Sequence, residues 1–403
     1  MEPLVTGTGD GERARTLHGH AGLGRPSDPL GRLAAEFDDA QDVWRSATGL
    51  VCVANPDAAR AVMGNRHAVV TETSDFYRTR HGVFGPRGAQ IEIGRASRAL
   101  MSRHLHEHRS RLPQLVAHHL ASGSVWPDAG NLLVFAHLRD VLLHPGAPPA
   151  LHEVLEHIVT RAVLAGARQR HTAVSRLRFR RRAFAALHDE VAARQGERGR
   201  GGGVGEPRDL LDVVLDGCGP AARAADLVEV YLSFLFATVG SIGFALGWSV
   251  LVLGTHAEQP PARTDWVVRE ALRLWPVAWL FARTPSREQE LGGMRVTPKD
   301  RLAVCTYLVH RHPAHWEKPD AFIPQRWADA VPDGEYLPFG YGPHTCAGAV
   351  VTMRLLTDLV ALLTRDWQVS VTHDGAGPQI GPALAPPRFT VALSRRDHDL
   401  GGG

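Results

Sequence analysis

One stretch constrains the fold more than any other. Asp226 to Leu253 is almost wholly apolar, is followed by Gly254-Thr255, and is long enough to cross a bilayer. A lone stretch of this kind in mid-chain, carrying Ser233, Ser241 and Ser249 and the glycines Gly240, Gly243 and Gly247, reads instead as a long core helix buried on all sides. Helical periodicity recurs around it at 30–45, at 96–122 despite Pro113, and at 129–143, 150–169, 172–195, 266–275 and 347–366. Strand-like pieces are short. Leu50 to Val53 precedes the Asn55-Pro56-Asp57 turn, which opens a helix through Met63, and two more pieces lie at 291–296 and 302–307. The expected class is mainly α with a minor β region.

Residues 1–28, rich in Gly, Arg, Pro and Asp, read as a flexible leader, and 29–398 as one unit. The segment 195–207 (QGERGRGGGVGEP) reads as a mobile linker. Residues 72–94 read as an irregular binding loop with Phe76, Tyr77 and Phe84 set among arginines and glycines.

Charge and cysteine content exclude several function classes. A net charge of +3 from 45 basic and 42 acidic residues argues against bulk nucleic-acid binding. Only Lys299 and Lys318 are lysine, so arginine runs reflect coding composition and are discounted as evidence. Cys52, Cys218, Cys305 and Cys346 stand far apart with no CxxC pair, which rules out a zinc ribbon, a thioredoxin-type site and a disulfide scaffold. Reduced thiols and the lack of a signal-peptide pattern lead us to expect a soluble, cytoplasmic protein. Cys52, Cys218 and Cys305 read as inert buried thiols. His104, His106 and His108 read as a solvated helix face, since their i, i+2 spacing points them apart.

Phe339-Gly340-Tyr341-Gly342-Pro343-His344-Thr345-Cys346-Ala347-Gly348 is the informative segment. Two glycines allow a tight turn and close approach to a flat partner. A lone cysteine follows just before an apolar helix, whose free N–H groups are expected to lower its pKa. A thiolate on such a loop suits iron. The pattern F-G-x-G-x-H-x-C-x-G arises by chance in a chain of this composition with probability of roughly 10⁻⁵.

This loop resembles the haem-binding signature of the cytochromes P450. The likeness extends over much of the chain from about residue 226 onward, and more weakly over 30–225. It implies the cytochrome P450 fold, haem b (iron protoporphyrin IX) as cofactor, and Cys346 as the axial thiolate that binds the metal. It places His344 and Arg283 at the haem propionates, Phe339 beside the thiolate, and Gly340, Gly342 and Gly348 at the loop glycines. Glu270-Ala271-Leu272-Arg273 is an E-x-x-R with both side chains on one helix face. By itself that motif is common; its position before Leu-Trp-Pro, 73 residues ahead of Cys346, gives it meaning. The likeness implies a buried network of Glu270, Arg273 and Arg326, the last from Phe322-Ile323-Pro324-Gln325-Arg326-Trp327. Where the family has His and Arg four apart on a helix, this chain has Gly94 and Arg98.

The central helix departs from the family. A Gly-x-acid-Thr sequence is usual over the haem, whereas this chain reads Ala237-Thr238-Val239-Gly240-Ser241, with no acid after Glu229 in the helix. Gly240 stands at the acid position and Ser241 keeps an alcohol, which makes both the catalytic candidates. Protons would then arrive through water, Ser241 or the substrate, with room over the haem for a bulky polar substrate. Phe76, Tyr77, Phe84, Ala237, Val277, Trp279 and Leu280 are the candidate substrate contacts.

The resemblance implies an oxidoreductase acting on a specialised metabolite. Hydroxylation and oxidative coupling of an aromatic, peptide-like substrate such as a cyclodipeptide are both open. No flavin or nicotinamide segment is seen, so electrons are expected from a ferredoxin and its reductase. A monomer without nucleic-acid or membrane partners is expected. The alternative from another class is a catalytically silent haem-bearing binding or recruitment module.

Overall fold

A computed structural model describes residues 28–71, 75–164, 172–200, 205–218, 222–257, 263–329 and 334–395. The expected leader lies outside these residues except for Asp28, whose carboxylate accepts from the Leu30 N–H and caps the helix Pro29–Glu36. That helix is shorter than its periodicity suggested. Asp38 turns the chain, accepting from the Gln41 and Ala40 amides, and Val43–Arg45 then becomes a strand. Asn55 caps the next helix, Pro56–Gly64, with proline at its first position as expected.

The 72–94 region is less irregular than read from sequence. A hairpin pairs Arg78–Thr79 with Gly82–Val83, and a helix starts at Arg87 and runs to Glu107. The expected helix over 96–122 divides at His108. Pro113 stands in the first turn of a new helix, Leu112–His119, where its missing N–H costs nothing. Asp128–Leu142 and Pro149–Ile158 follow, and a π turn closes the second at Val163.

The helix Ala173–Gly199 takes in the first five residues of the expected linker. Charge fixes this end: Arg194 pairs with Glu190, Asp209 and Asp212, and Arg198 pairs with Asp212 and Asp216 on the following helix, Leu210–Cys218. Burial would raise the Asp212 pKa, but the Arg208 and Arg198 bonds hold it well below the usual carboxylate range.

The apolar stretch is a single 32-residue helix, Ala224–Thr255, interrupted by a π turn over Phe236–Ser241. By length and composition it passes as a membrane span, yet 78% of its apolar window is buried inside the fold. Against it pack the helices Asp128–Leu142, Thr264–Leu274 and Ala349–Asp366. Small residues permit the closeness: a Cβ on Gly243 would stand 2.2 Å from Asn131 Nδ2.

The β component is minor, as expected. One sheet orders Val43–Arg45, Val51–Val53, Leu302–Val304 and Phe281–Arg283, with Val51–Val53 and Leu302–Val304 parallel and the other pairs antiparallel. A second, which the sequence reading missed, pairs Trp367–His373 with Phe389–Arg395 and adds Val125–Trp126. The expected 291–296 strand is instead broken by the Gly292-Gly293 turn of a hairpin, Gln289–Leu291 with Met294–Val296.

The three histidines correct another expectation. His104 is buried, stacks on His108 at 4.2 Å, and its Nε2 lies 2.7 Å from the His137 carbonyl. The i, i+4 relation of 104 and 108 puts them on one face, turned inward; His106 alone is exposed.

Candidate active site

The cysteine loop is a folded turn built on two glycines. Gly340 (φ +76°) and Gly342 (φ +72°) are both left-handed. A Cβ on Gly342 would stand 2.6 Å from the Gly64 Cα, so only glycine lets the loop rest on the end of the Pro56–Gly64 helix. The Cys346 N–H donates to the Phe339 carbonyl at 2.9 Å, and the Thr345 N–H and hydroxyl both donate to the Gly342 carbonyl. Gly348 then opens the helix Ala349–Asp366.

Solvent reaches Cys346, although protein crowds its sulfur. Burial raises its thiol pKa, opposed by hydrogen bonds from the backbone at Gly348 and Ala349, and the net shift is upward. The sequence expectation of a lowered pKa is therefore corrected. The amides of the helix start do not outweigh desolvation, and a bound cation would shift the balance to thiolate.

Behind the loop lies the network expected from Glu270, Arg273 and Arg326. Glu270 and Arg273 are both fully buried and meet through two bonds of 2.9 and 2.8 Å. Glu270 also accepts from Arg326 Nε, the Ile323 N–H and Trp327 Nε1, each at 3.0 Å. Arg273 spends its other donors on the His310, Pro319 and Ala321 carbonyls. Sequence reasoning missed His310. Its Nδ1 donates to the Arg273 carbonyl at 3.1 Å and its Nε2 accepts from the Leu337 N–H at 2.7 Å, which links the network to the start of the cysteine loop. That arrangement needs a neutral ring, and burial lowers the His310 pKa to about 3.

On the central helix, Gly240 and Ser241 fall in the π turn. A Cβ on Gly240 would meet only Val163 Cγ1, at 3.7 Å. Ser233, Ser249 and Thr255 each donate to the carbonyl four residues back. The hydroxyls of Ser241 and Thr238, the two alcohols of the π turn, make no hydrogen bond to another described residue. Asn131 Nδ2 donates to the Val239 carbonyl at 2.8 Å and the Gly240 carbonyl at 3.2 Å. The sequence reading quoted Thr238 within the Ala237–Ser241 stretch but gave it no role of its own, and it gave no signal for Asn131.

Gly94 packs its backbone on the loop: a Cβ there would lie 3.2 Å from Ala347 Cβ, a tight contact that any larger side chain would have to push aside. Arg98 is exposed four residues on. Arg87 donates to the Pro343 carbonyl and ties the 75–90 region to the cysteine loop. Arg283 and His344 are half-buried, and Phe339 packs partly against the core. Phe76 is half-buried, edge-on to Phe234 at 4.8 Å. Ala237 and Leu280 are half-buried as well. Tyr77, Phe84, Val277 and Trp279 are buried at 7–8% exposure. Tyr77 donates to the Gln90 carbonyl and Trp279 to the Gly381 carbonyl, so both rings have packing duties of their own.

The donor set fits haem. It offers one reachable thiol with backbone donors at its sulfur, a left-handed glycine turn and an uncrowded glycine on the central helix. Fold and loop together resemble those of haem-thiolate proteins. The sequence model of the family Cytochrome P450 matches residues 263–390. Cyclooctatin synthase of Streptomyces melanosporofaciens is 32% identical over 214 residues, 45% of each chain. Cyclooctat-9-en-7-ol 5-monooxygenase of the same organism is 34% identical over 26% of this chain and 24% of its own. These matches thus span less than half the length of the curated relatives. Among solved structures, the open cytochrome P450 EryK of S. erythraea shares the fold at TM-score 0.67 and 19% identity, over 93% of this chain and 98% of its own. Cytochrome P450 TbtJ1 does so at 0.67 and 18%, over 90% and 96%. Residues 263–390 are thus similar to the cytochrome P450 family, whose cofactor is haem b, and the chain shares that family's fold over 93% of its length.

Proposed function

We propose that this chain is a soluble, cytoplasmic oxidoreductase that oxidises a specialised metabolite with electrons from a separate ferredoxin and ferredoxin reductase. The observation that carries the reading is Cys346: a solvent-reachable thiol with backbone hydrogen-bond donors at its sulfur, on a loop anchored through His310 to a buried Glu270–Arg273 pair. Bound at this site, haem supplies dioxygen activation and one-electron chemistry.

The chain's own groups have distinct tasks in this reading. Cys346 holds the iron, and the donors at Gly348 and Ala349 favour its thiolate. Arg98, Arg283 and His344 offer positive charge to carboxylates at the haem edge. Glu270, Arg273 and Arg326 keep the loop from shifting. Thr238 and Ser241 offer hydroxyls that can pass protons by way of water, in place of the absent acid. Gly240 leaves space for substrate. Phe76, Ala237 and Leu280 offer half-buried surface to it, and Tyr77, Phe84, Val277 and Trp279 shape the surround.

For the substrate we propose an aromatic, peptide-like metabolite, bulky and polar, either hydroxylated or coupled. The two cyclooctatin-named relatives support the metabolite class. Product mass separates the outcomes, since hydroxylation adds an oxygen and coupling removes two hydrogens. The primary test is Cys346→Ser. Wild-type protein is expected to purify with haem and give a thiolate-type carbon monoxide complex on reduction, and the variant to lose that spectrum. An unaltered spectrum in the variant, or a colourless wild type that takes up no hemin, defeats the reading.

A further inference from the structure

We infer that Asn131 is a positioning residue: its carboxamide holds the π turn of the central helix open and keeps the Thr238 and Ser241 hydroxyls available. The inference rests on the proposed function, because it assigns the distal half of the same site.

A carboxamide nitrogen carries two protons, and here each has a backbone acceptor. The Val239 carbonyl lies at 2.8 Å and the Gly240 carbonyl at 3.2 Å, both bonds buried. Asn131 itself has no exposed surface. In a regular α-helix those two carbonyls would accept from amides four residues on, and the ladder would close. Here the Val239 carbonyl takes the Ile242 N–H, three residues on, together with the carboxamide, so Asn131 pins the C-terminal end of the π turn Phe236–Ser241 from the side.

The neighbouring helix is shaped for this contact. Gly243 lies where a Cβ would come within 2.2 Å of Asn131 Nδ2 and 2.7 Å of its Cα, so the carboxamide reaches the turn only past a glycine. The consequence appears in the alcohols. Ser233 and Ser249, in regular helix on either side, fold back on carbonyls four residues behind, whereas Thr238 and Ser241 do not. The helix has no acid after Glu229 to organise this turn from within. Asn131, 108 residues earlier, does so from behind.

The test uses the full-length haem protein with Asn131→Leu and Asn131→Ala. Without the carboxamide the turn is expected to close towards α geometry and Ser241 to bond back to Ala237. Hydrogen exchange of amides 240–245 should then slow by about threefold or more. With a ferredoxin system, the peroxide released per electron pair should rise several-fold while the reduced carbon monoxide spectrum stays that of wild type. If the Leu variant does not fold, the Ala variant, which only deletes the carboxamide, decides. Exchange that is unchanged or faster overturns the inference, since Asn131 would then be no more than a staple between helices. A wild type lacking haem defeats the functional reading instead, and the exchange comparison still judges Asn131.

Discussion

The two halves of the proposed site are built by opposite means. Beneath the cysteine loop, one carboxylate is saturated: Glu270 takes bonds from Arg273, Arg326, Ile323 and Trp327, and no part of the Glu270–Arg273 pair meets solvent. In the distal half, over the π turn, one carboxamide meets two carbonyls and two hydroxyls are left without a partner among the described residues. A ligand atom that must not move calls for over-determined geometry, supplied by charges that cannot be left unpaired. A place where protons and substrate pass calls for groups with bonding capacity to spare. The difference teaches that rigidity and availability are separated here by helix, not by distance along the chain.

The largest effect is expected where that saturation is broken. Glu270→Ala leaves the Arg273 guanidinium buried and uncompensated, which costs about 3–5 kcal/mol and frees the Arg326 and Trp327 donors as well. The urea midpoint should fall steeply, with haem retention falling alongside. A near wild-type midpoint would mean that the pair is dispensable and that the contrast between the halves fails.

Acid should separate the halves next. His310 sits in the cysteine-side network and His137 on the Asn131 helix, and burial lowers their pKa values from 6.5 to about 3 and about 4. A depressed folded-state value means the unfolded chain takes the proton first. Stability from each ring is therefore fully present above pH 6.5 and declines as pH drops, down to about 4 for His137 and about 3 for His310. Each contributes a slope of up to about 1.4 kcal/mol per pH unit in its window. Urea unfolding at a series of pH values checks this. His137→Phe should flatten the curve between pH 6.5 and 4 and leave the His310 share. A wild-type stability that is level from pH 7 to 5 contradicts both assignments.

What was legible in the sequence followed the same division. Cys346, its glycines and the Glu270/Arg273 spacing lie within short segments, so local pattern was enough, and the chain's length of apolar helix announced the core. The partners that complete the site were not legible. His310 reaches Leu337 across 27 residues, and Asn131 reaches Val239 across 108; nothing in a local window marks either. Helix ends failed where a local break outweighed periodicity, as at Asp38 and at His108. The Trp367–His373 and Phe389–Arg395 pair was missed because each strand gains its meaning from the other, about twenty residues away. His104 was misread because its i, i+4 neighbour, not its i, i+2 neighbour, shares its face.

The smallest stability effect, and the finest test of the comparison, is expected at Gly240. A methyl there meets only Val163 Cγ1 at 3.7 Å, and alanine favours helix over glycine by up to about 1 kcal/mol. Gly240→Ala should thus be neutral or slightly stabilising in urea unfolding, whereas a methyl on Gly243, three residues on, would run into Asn131. Gly240→Asp goes further and places an acid where the family has one. If the open turn and its hydroxyls are a substitute for that acid, the variant should lower the peroxide released per electron pair or change the rate of product formation, at little cost in stability. Turnover and peroxide yield identical to wild type in both the Asp and Glu variants would show that this position has no part in proton supply, and the availability of the Thr238 and Ser241 hydroxyls would need another explanation.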